Sequence, residues 1–203
     1  MTAPPRDLDT PRLREAIRAM YTRVVTEPQG TFHFHRGPEY AVAVLGYSAA
    51  ALATLPAEVT AAFSGIGNPL RVAALRTGMT VVDVGCGAGL DLLLAARAVG
   101  PSGRAIGIEM TEPMAAHARR GADAAGLENV EVRSGDAVAL PIETESVDVL
   151  ISNGVLNLVP EKETAAREMY RVLKAGGELC LADIALERAV SDDARRDVDL
   201  WTA

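Results

Sequence analysis

The sequence is poor in cysteine, in aromatic residues and in clustered positive charge. Its two cysteines, Cys86 and Cys180, are far apart and have no histidine or cysteine at metal-ligand spacing. We therefore expect neither a metal site nor a disulfide framework. The formal net charge is −7, whereas binding to nucleic-acid phosphates requires clustered lysine and arginine. The composition thus argues against a nucleic-acid partner.

Long hydrophobic runs are also missing from the sequence. No apolar stretch approaches the roughly 20 residues that cross a bilayer, and residues 1–7 contain no hydrophobic segment of a secretory signal. We therefore expect a cytoplasmic protein with no membrane partner. The 203 residues are 49% hydrophobic and 23% charged, which is typical of a soluble globular chain with one well-buried domain and an appendage.

From residue 80 onward, short β-branched runs alternate with amphipathic stretches, a pattern typical of βαβ units. The pattern predicts strands over residues 80–84, 104–109, 130–133, 147–152 and 178–184. It predicts helices over residues 90–99, from Thr111 towards Gly126, over 160–173, and from Ser191 onward. Upstream, residues 10–25 have the spacing of an amphipathic helix. We therefore expect a helical N-terminal cap, residues 1–70, and an α/β core, residues 71–203.

A glycine-rich loop follows the first predicted strand. Gly85, Gly87 and Gly89 would permit a tight turn and let a ligand approach the backbone, next to the free N–H groups of the following helix. A dinucleotide-binding loop would have a third glycine where this chain has Leu90, so an NAD-linked oxidoreductase is disfavoured. Asp83, at the end of the strand, could receive a cationic or amino group. These features suit the aminocarboxylate end of S-adenosylmethionine better than a pyrophosphate.

Polar residues also follow the next three predicted strands. Glu109 is placed to accept both hydroxyls of an adenosine ribose, Asp136 to accept from the exocyclic amine of adenine, and Asn153 to lie beside the sulfonium. Met110 is a candidate for the adenine face, or equally for the core. Because the carboxyl ends of parallel strands meet at one edge of the sheet, we expect these residues to converge. The cofactor candidates are Asp83, Gly85, Cys86, Gly87, Gly89, Glu109, Met110, Asp136, Ala137 and Asn153.

Longer motifs carry a family resemblance over about residues 64–200. They are GIGNP, VVDVGCGAGLDLLLAARAVGPSGRAIGIEMTEPM, ENVEVRSGDAVALP, VDVLISNGVLNLVPEK and REMYRVLKAGGELCLADI. On these motifs the chain resembles class I S-adenosylmethionine-dependent methyltransferases, and within them the arsenite methyltransferase-like branch. The resemblance implies a Rossmann-like, doubly wound parallel sheet in the order 3-2-1-4-5. It also implies S-adenosylmethionine as cofactor, held by the candidates above, and methyl transfer to a small-molecule acceptor.

The sequence departs from that branch at the residues expected to bind arsenic. Arsenite methyltransferases hold trivalent arsenic on thiolates, the ligands that a soft ion prefers. The resemblance places two of these cysteines at the positions of Ile66 and Gly154, and a third beyond the last residue of the sequence. Cys86, in the glycine loop, and Cys180, inside a strand, are not placed to replace them. We therefore expect an acceptor other than arsenite.

A second departure concerns the end of the sheet. The resemblance implies a pair of antiparallel strands after the fifth strand, and no sequence remains to form them. We therefore expect a C-terminally incomplete core whose fifth strand has an exposed edge with an apolar face, which is a hazard for association. The alternatives at this stage are a homodimer through that edge and a fragmentary chain.

Catalytic residues are less clearly indicated by the sequence. Methyl transfer from a sulfonium has no obligatory acid or base, because positioning and dehydration supply much of the acceleration. For an acceptor of high pKa a general base would help, and the candidates are His33, His35 and Tyr40; alternatively, the histidines steady a loop against the core. His117 is expected to be exposed to solvent. A catalytically silent cofactor-binding or interaction module is the alternative function.

Overall fold

A computed structural model describes residues 8–188 and 190–201. Five strands form one sheet: β1 (Thr80–Val84), β2 (Arg104–Glu109), β3 (Val130–Ser134), β4 (Val147–Asn153) and β5 (Leu173–Ala182). Their order is β3-β2-β1-β4-β5, and every neighbouring pair is parallel. The predicted Rossmann-like sheet is confirmed. Residues 1–7, where the sequence suggests no signal segment, and residues 202–203 of the predicted core lie outside the described residues.

Helices cover both faces of the sheet. Before β1 the described chain contains α1 (Thr10–Thr26), α2 (Gly37–Ala43), α3 (Ala49–Leu52) and α4 (Ala57–Ala61). Between the strands it contains α5 (Leu90–Val99), α6 (Glu112–Ala124) and α7 (Lys162–Val172), and after them α8 (Asp192–Arg196) and α9 (Val198–Trp201). Two short 3₁₀ turns span Pro69–Arg71 and Leu156–Leu158. None of the helices in the described residues is both long enough and apolar enough to cross a membrane.

The central strand β1 is buried on both faces. Val82 packs with Met169 of α7 on one face of the sheet, and Val81 packs with Ala95 of α5 on the other. Successive residues of a strand point to opposite faces, so a strand covered on both sides requires a nearly continuous apolar run. The core therefore fixes β1, and with it the position of the loop that follows.

The helices before residue 62 pack against α5 and α6. Tyr47 and Val59 share a buried cluster with Leu93 of α5. Val59 also lies so close to Gly121 of α6 that a Cβ atom at Gly121 would overlap its Cγ2 atom. These N-terminal helices thus pack against one face of the core, while the division into a cap and a core at residue 70 stays a prediction.

His117 corrects one sequence-based expectation. It lies on α6 but is only 9% exposed, and its Nε2 atom is 3.1 Å from the carbonyl oxygen of Glu58. Helix α4 covers this face of α6, and the spacing of residues along α6 does not reveal a neighbour that comes from so far away in the chain. The expected solvent exposure of His117 is wrong.

Strand β5 begins and ends earlier than the sequence predicts, at Leu173 and Ala182. Residues 174–177, between the predicted helix and the predicted strand, belong to the strand, and an irregularity in its pairing with β4 accommodates them. Asp183 leaves the strand because its carboxylate accepts the backbone N–H groups of Leu156 at 2.7 Å and Asn157 at 3.1 Å. The end of β5 is therefore tied to the loop after β4.

We predict that Leu93→Ala lowers the free energy of unfolding by about 2–5 kcal/mol, because it leaves a cavity between the cap and the core. Leu93 is 0% exposed, whereas Leu186 is 69% exposed, so the same truncation at Leu186 should change stability by less than about 0.5 kcal/mol. Urea unfolding followed by circular dichroism measures both values. Equal destabilisation by the two variants would contradict the packing described here.

Candidate cofactor-binding site

A pocket opens at the carboxyl ends of the strands, next to the switch in strand order between β1 and β4. Ligands of open α/β sheets bind at this place. Its lining comes from the loop after β1, from the ends of β2, β3 and β4, and from α1. The α1 side chains are Arg14, Ile17 and Tyr21, whose spacing places them on one face of the helix. The predicted strand ends therefore do converge, and α1 forms one wall of the pocket.

The glycine loop has a backbone that only glycine adopts easily. Gly85, Gly87 and Gly89 have φ values of 71°, 53° and 100°, in the left-handed region. At Gly85 a Cβ atom would overlap the Cγ2 atom of Val155, which follows β4. The loop thus fits tightly under the segment after β4 and leads directly into the N-terminus of α5.

Glu109 connects the end of β2 to the glycine loop. Its Oε2 atom accepts the backbone N–H of Gly87 at 3.0 Å, and its Oε1 atom accepts that of Thr111 at 2.8 Å. Burial raises the pKa of Glu109, while these backbone donors oppose the rise. The Thr111 side chain and the Met110 backbone also interact with this carboxylate, so the predicted contact with ribose hydroxyls would share it with several protein donors.

Two further buried acids lie on either side of the glycine loop, Asp83 in β1 and Asp91 in the first turn of α5. Burial, followed by the charges of Asp91 and Glu109, raises the pKa of Asp83 well above its usual range. Burial also raises the pKa of Asp91 to about 6, against the lowering effect of its hydrogen bonds. The sequence analysis missed Asp91. In the sequence, Asp91 is the one acid in the apolar helical segment LDLLLAA. An acid in the first turn of a helix also interacts favourably with the helix N-terminus, so its position alone does not indicate a role in the site.

Asn153, at the end of β4, lines the pocket but directs its amide towards neighbouring protein groups. Its Oδ1 atom accepts the backbone N–H groups of Ile66 at 2.9 Å and Gly67 at 3.1 Å. Its Nδ2 atom donates to Asp91 Oδ2 at 3.0 Å and to the Gly67 carbonyl at 2.8 Å, and lies 3.2 Å from the Tyr47 hydroxyl. Asn153 therefore joins the GIGNP segment to α5, in addition to any contact with a cofactor.

Asp136, at the end of β3, is paired with the N-terminal helix. Its Oδ2 atom accepts from Arg14 Nε at 3.0 Å, and Arg14 Nη2 donates to Glu161 Oε2 at 3.3 Å. Both pairs are partly exposed, so each contributes little to stability. Arg14 was not identified from the sequence, because only the tertiary fold brings α1 next to β3. The expected contact of Asp136 with adenine would share the carboxylate with Arg14.

Cys86, Met110 and Ala137 also line the pocket. The Sγ atom of Cys86 packs against Gly107 of β2, and burial raises the pKa of the thiol well above its usual range. Cys86 is therefore a neutral thiol near pH 7. Met110 packs against the cluster that contains Ile17 of α1, so it connects the end of β2 to α1.

The suggested catalytic residues do not meet the pocket. His33 and His35 are exposed and Tyr40 is half-buried, and none of the three belongs to the described pocket lining. His35 stacks on Tyr40, with ring centroids 4.9 Å apart. Tyr21, by contrast, lines the pocket, and burial raises its pKa to about 12. The structure therefore places an α1 tyrosine, and not the histidine pair, next to the cofactor candidates.

The positions expected for arsenic-binding cysteines are adjacent in space. A Cβ atom at Gly154 would lie 3.4–3.7 Å from the side-chain carbons of Ile66. The two positions therefore face each other, but they present a branched hydrocarbon and a bare backbone. Neither offers a thiolate to a soft metalloid ion.

The residues present fit S-adenosylmethionine. Four acids line the pocket, Asp83, Asp91, Glu109 and Asp136, and Arg14 is the sole basic side chain among its described lining residues. Arg14 is already paired with acids, so the other carboxylates favour a ligand with positive charge. No group of three His, Cys, Asp or Glu side chains in the described chain is arranged to hold a metal ion. The sulfonium and the ammonium group of S-adenosylmethionine would both supply the positive charge that the carboxylates favour.

Comparison with known proteins agrees with this geometry. Residues 75–202 match a family described as "Methyltransferase domain". The chain is 45% identical over 138 residues to an arsenite methyltransferase of Halobacterium salinarum, covering 68% of this chain and 35% of that protein. It is 35% identical over 114 residues to a demethylmenaquinone methyltransferase of Listeria welshimeri, covering 56% and 48%. The chain thus spans between about a third and a half of these relatives.

A crystal structure gives a similar result. An arsenic(III) S-adenosylmethionine methyltransferase from Chlamydomonas reinhardtii superimposes with a TM-score of 0.67 at 37% identity. The match covers 71% of this chain and 51% of that one.

We predict that Gly85→Ala weakens S-adenosylmethionine binding by about tenfold or more, because the new methyl group displaces Val155 from the loop. Gly126→Ala is the matched control, since Gly126 has a similar φ of 65° and nothing within 4 Å of the added Cβ atom. It should lose about 1–2 kcal/mol of stability from left-handed strain and keep its affinity. Isothermal titration calorimetry and urea unfolding provide the two readouts. Equal affinities of both variants would contradict the close fit of the loop.

Proposed function

The chain belongs to the methyltransferase-domain family, with S-adenosylmethionine as its cofactor, and we propose that it transfers a methyl group to a small-molecule acceptor other than arsenite. The observation that carries the proposal is the acidic pocket at the carboxyl edge of the sheet. Asp83, Asp91 and Glu109 are buried there beside a glycine loop that a ligand can approach closely.

The proposed mechanism relies on positioning. Bound S-adenosylmethionine supplies an electrophilic methyl group on a positively charged sulfur. Glu109 would hold the ribose, and Asp83 would keep the cationic end beside the glycine loop. Apolar side chains such as Met114 and Leu158 also line the pocket and would exclude water. Such alignment contributes much of the acceleration of a displacement whose leaving group is already charged.

The positions of Ile66 and Gly154, here called the acceptor side, argue for a substrate that contains no arsenic. Ile66 and Gly154 offer no sulfur, and the two cysteines of the chain, Cys86 and Cys180, are buried with raised pKa values. Relatives named for arsenite and for demethylmenaquinone match the same chain, so similarity in this region is compatible with different acceptors. We propose that the N-terminal segment, residues 1–70, shapes the acceptor side through α1 and the GIGNP segment.

The test is an acceptor screen with S-adenosylmethionine labelled in its methyl group. We expect transfer to at least one organic phenol, quinol, thiol or amine, and no transfer to arsenite above the background of the Gly85→Ala variant. Mass spectrometry of the products identifies the acceptor atom. Methylarsenite formed as fast as any organic product would contradict the proposed acceptor class.

Two other results would favour the alternatives. Binding of S-adenosylmethionine without transfer to any acceptor would favour a catalytically silent cofactor-binding module. Calorimetric binding of NAD would favour an oxidoreductase, which Leu90 in place of a third glycine disfavours.

We also propose that the edge of β5 pairs with a second copy of the chain to form a homodimer. Strand β5 pairs with β4 alone within the described sheet, and Leu179 and Leu181 are exposed on it. An exposed edge that carries apolar side chains favours association with another strand.

We predict a dimer that dissociates when Leu181→Lys introduces charge at this edge. Val72→Lys, at an exposed apolar residue outside the sheet, should leave the dimer intact. Light scattering coupled to size-exclusion chromatography over a concentration series measures the mass. A wild-type monomer at every concentration would rule out the proposed dimer.

A further inference from the structure

Asp91 holds a buried negative charge with neutral partners. It lies in the first turn of α5, is 6% exposed and still lines the pocket. Its Oδ1 atom accepts from the Tyr47 hydroxyl at 2.6 Å, and its Oδ2 atom accepts from Asn153 Nδ2 at 3.0 Å. Neutral donors stabilise an ionised carboxylate without cancelling its charge, so that charge stays available to a ligand.

The hydrogen-bonding capacity left on Asn153 and Asp91 also points to Asp91 as the residue that can contact a ligand. A side-chain amide has two hydrogens to donate and two lone pairs to accept with. Asn153 uses both lone pairs on Ile66 and Gly67, and both hydrogens on Asp91 and the Gly67 carbonyl. Each oxygen of Asp91 uses only one of its lone pairs. The free polar capacity of this pair therefore belongs to Asp91, and Asn153 acts as a positioning residue.

The groups around Asp91 are acidic or neutral. Asp83 of β1 and Glu109 of β2 are further buried acids whose pKa values are raised by burial, and Tyr47 and Asn153 are neutral. Arg14 of α1 is engaged by Asp136 and Glu161 near the end of β3. S-adenosylmethionine and its product S-adenosylhomocysteine differ by one methyl group and one positive charge on sulfur. An acidic pocket should therefore distinguish them by that charge.

We propose that Asp91 is a specificity-determining residue whose carboxylate favours the sulfonium of S-adenosylmethionine over the uncharged sulfur of S-adenosylhomocysteine. Tyr47 and Asn153 hold this carboxylate in place and link it to the GIGNP segment. Weaker binding of the demethylated product favours its release after transfer. The inference rests on the proposed cofactor use and not on the identity of the acceptor.

The first test compares Asp91→Asn with the wild type by isothermal titration calorimetry at pH 7. We expect S-adenosylmethionine to bind about tenfold or more weakly to the variant, with a much smaller loss for S-adenosylhomocysteine. Asp123→Asn makes the same change at an exposed position of α6 and should alter neither affinity. Equal losses for both compounds would assign Asp91 a purely structural role and overturn the proposal.

The second test uses pH and does not depend on Asp91→Asn folding. Burial raises the pKa of Asp91 to about 6, so the carboxylate gains its charge between pH 5 and pH 7. The sulfonium does not titrate, and the wild-type preference for S-adenosylmethionine should therefore increase over this range. Tyr47→Phe removes a donor that lowers this pKa and should shift the increase to higher pH.

These experiments distinguish a failure of the proposed role of Asp91 from a failure of the proposed function. A preference that does not change between pH 5 and pH 7, in the wild type and in Tyr47→Phe alike, would overturn the role of Asp91. Failure of the wild type to bind either compound would instead contradict the proposed function itself.

Discussion

The burial of three acids at one edge of the sheet is the constraint on which the rest of the structure depends. Asp83, Asp91 and Glu109 are withdrawn from water within one pocket, and burial raises the pKa of each. Such groups are costly unless they are neutralised or paired. Asp83 cannot move away, because β1 is paired on both sides and covered on both faces. A ligand with positive charge would favour the ionised forms of these acids, and the topology of the sheet brings them into one pocket.

The close packing of the backbone connects the N-terminal cap to this edge. A Cβ atom at Gly65 would overlap the amide of Asn153, and that amide holds the N–H groups of the two residues that follow. Tyr47 reaches the same network from the cap and donates to Asp91. The cap is therefore linked to the charged part of the pocket through short hydrogen bonds.

The sequence predicted those features that local physical chemistry determines. The glycine loop, the strand order and the acids Asp83, Glu109 and Asp136 follow from short motifs, apolar periodicity and the resemblance those motifs support. Arg14 and Asp91 escaped prediction because their roles depend on neighbours more than 40 residues away, Asp136 for Arg14 and Tyr47 for Asp91. His33 and His35 are the opposite case, in which a clear sequence pattern does not correspond to a place in the pocket. Their alternation with aromatic residues was real, but the fold leaves them exposed and away from the pocket lining.

The cofactor candidates and the proposed acceptor side lie on different parts of this fold. Asp83, Glu109 and Asp136 lie at or just after the ends of β1, β2 and β3, and Asp91 lies in the first turn of α5 after the glycine loop. The acceptor side depends on Ile66 and Gly154, two positions brought together by the loop after β4. A hydrocarbon and a bare backbone offer no thiolate to a soft ion, which is the basis of the proposed change of acceptor. A shared cofactor edge can therefore persist while the acceptor changes.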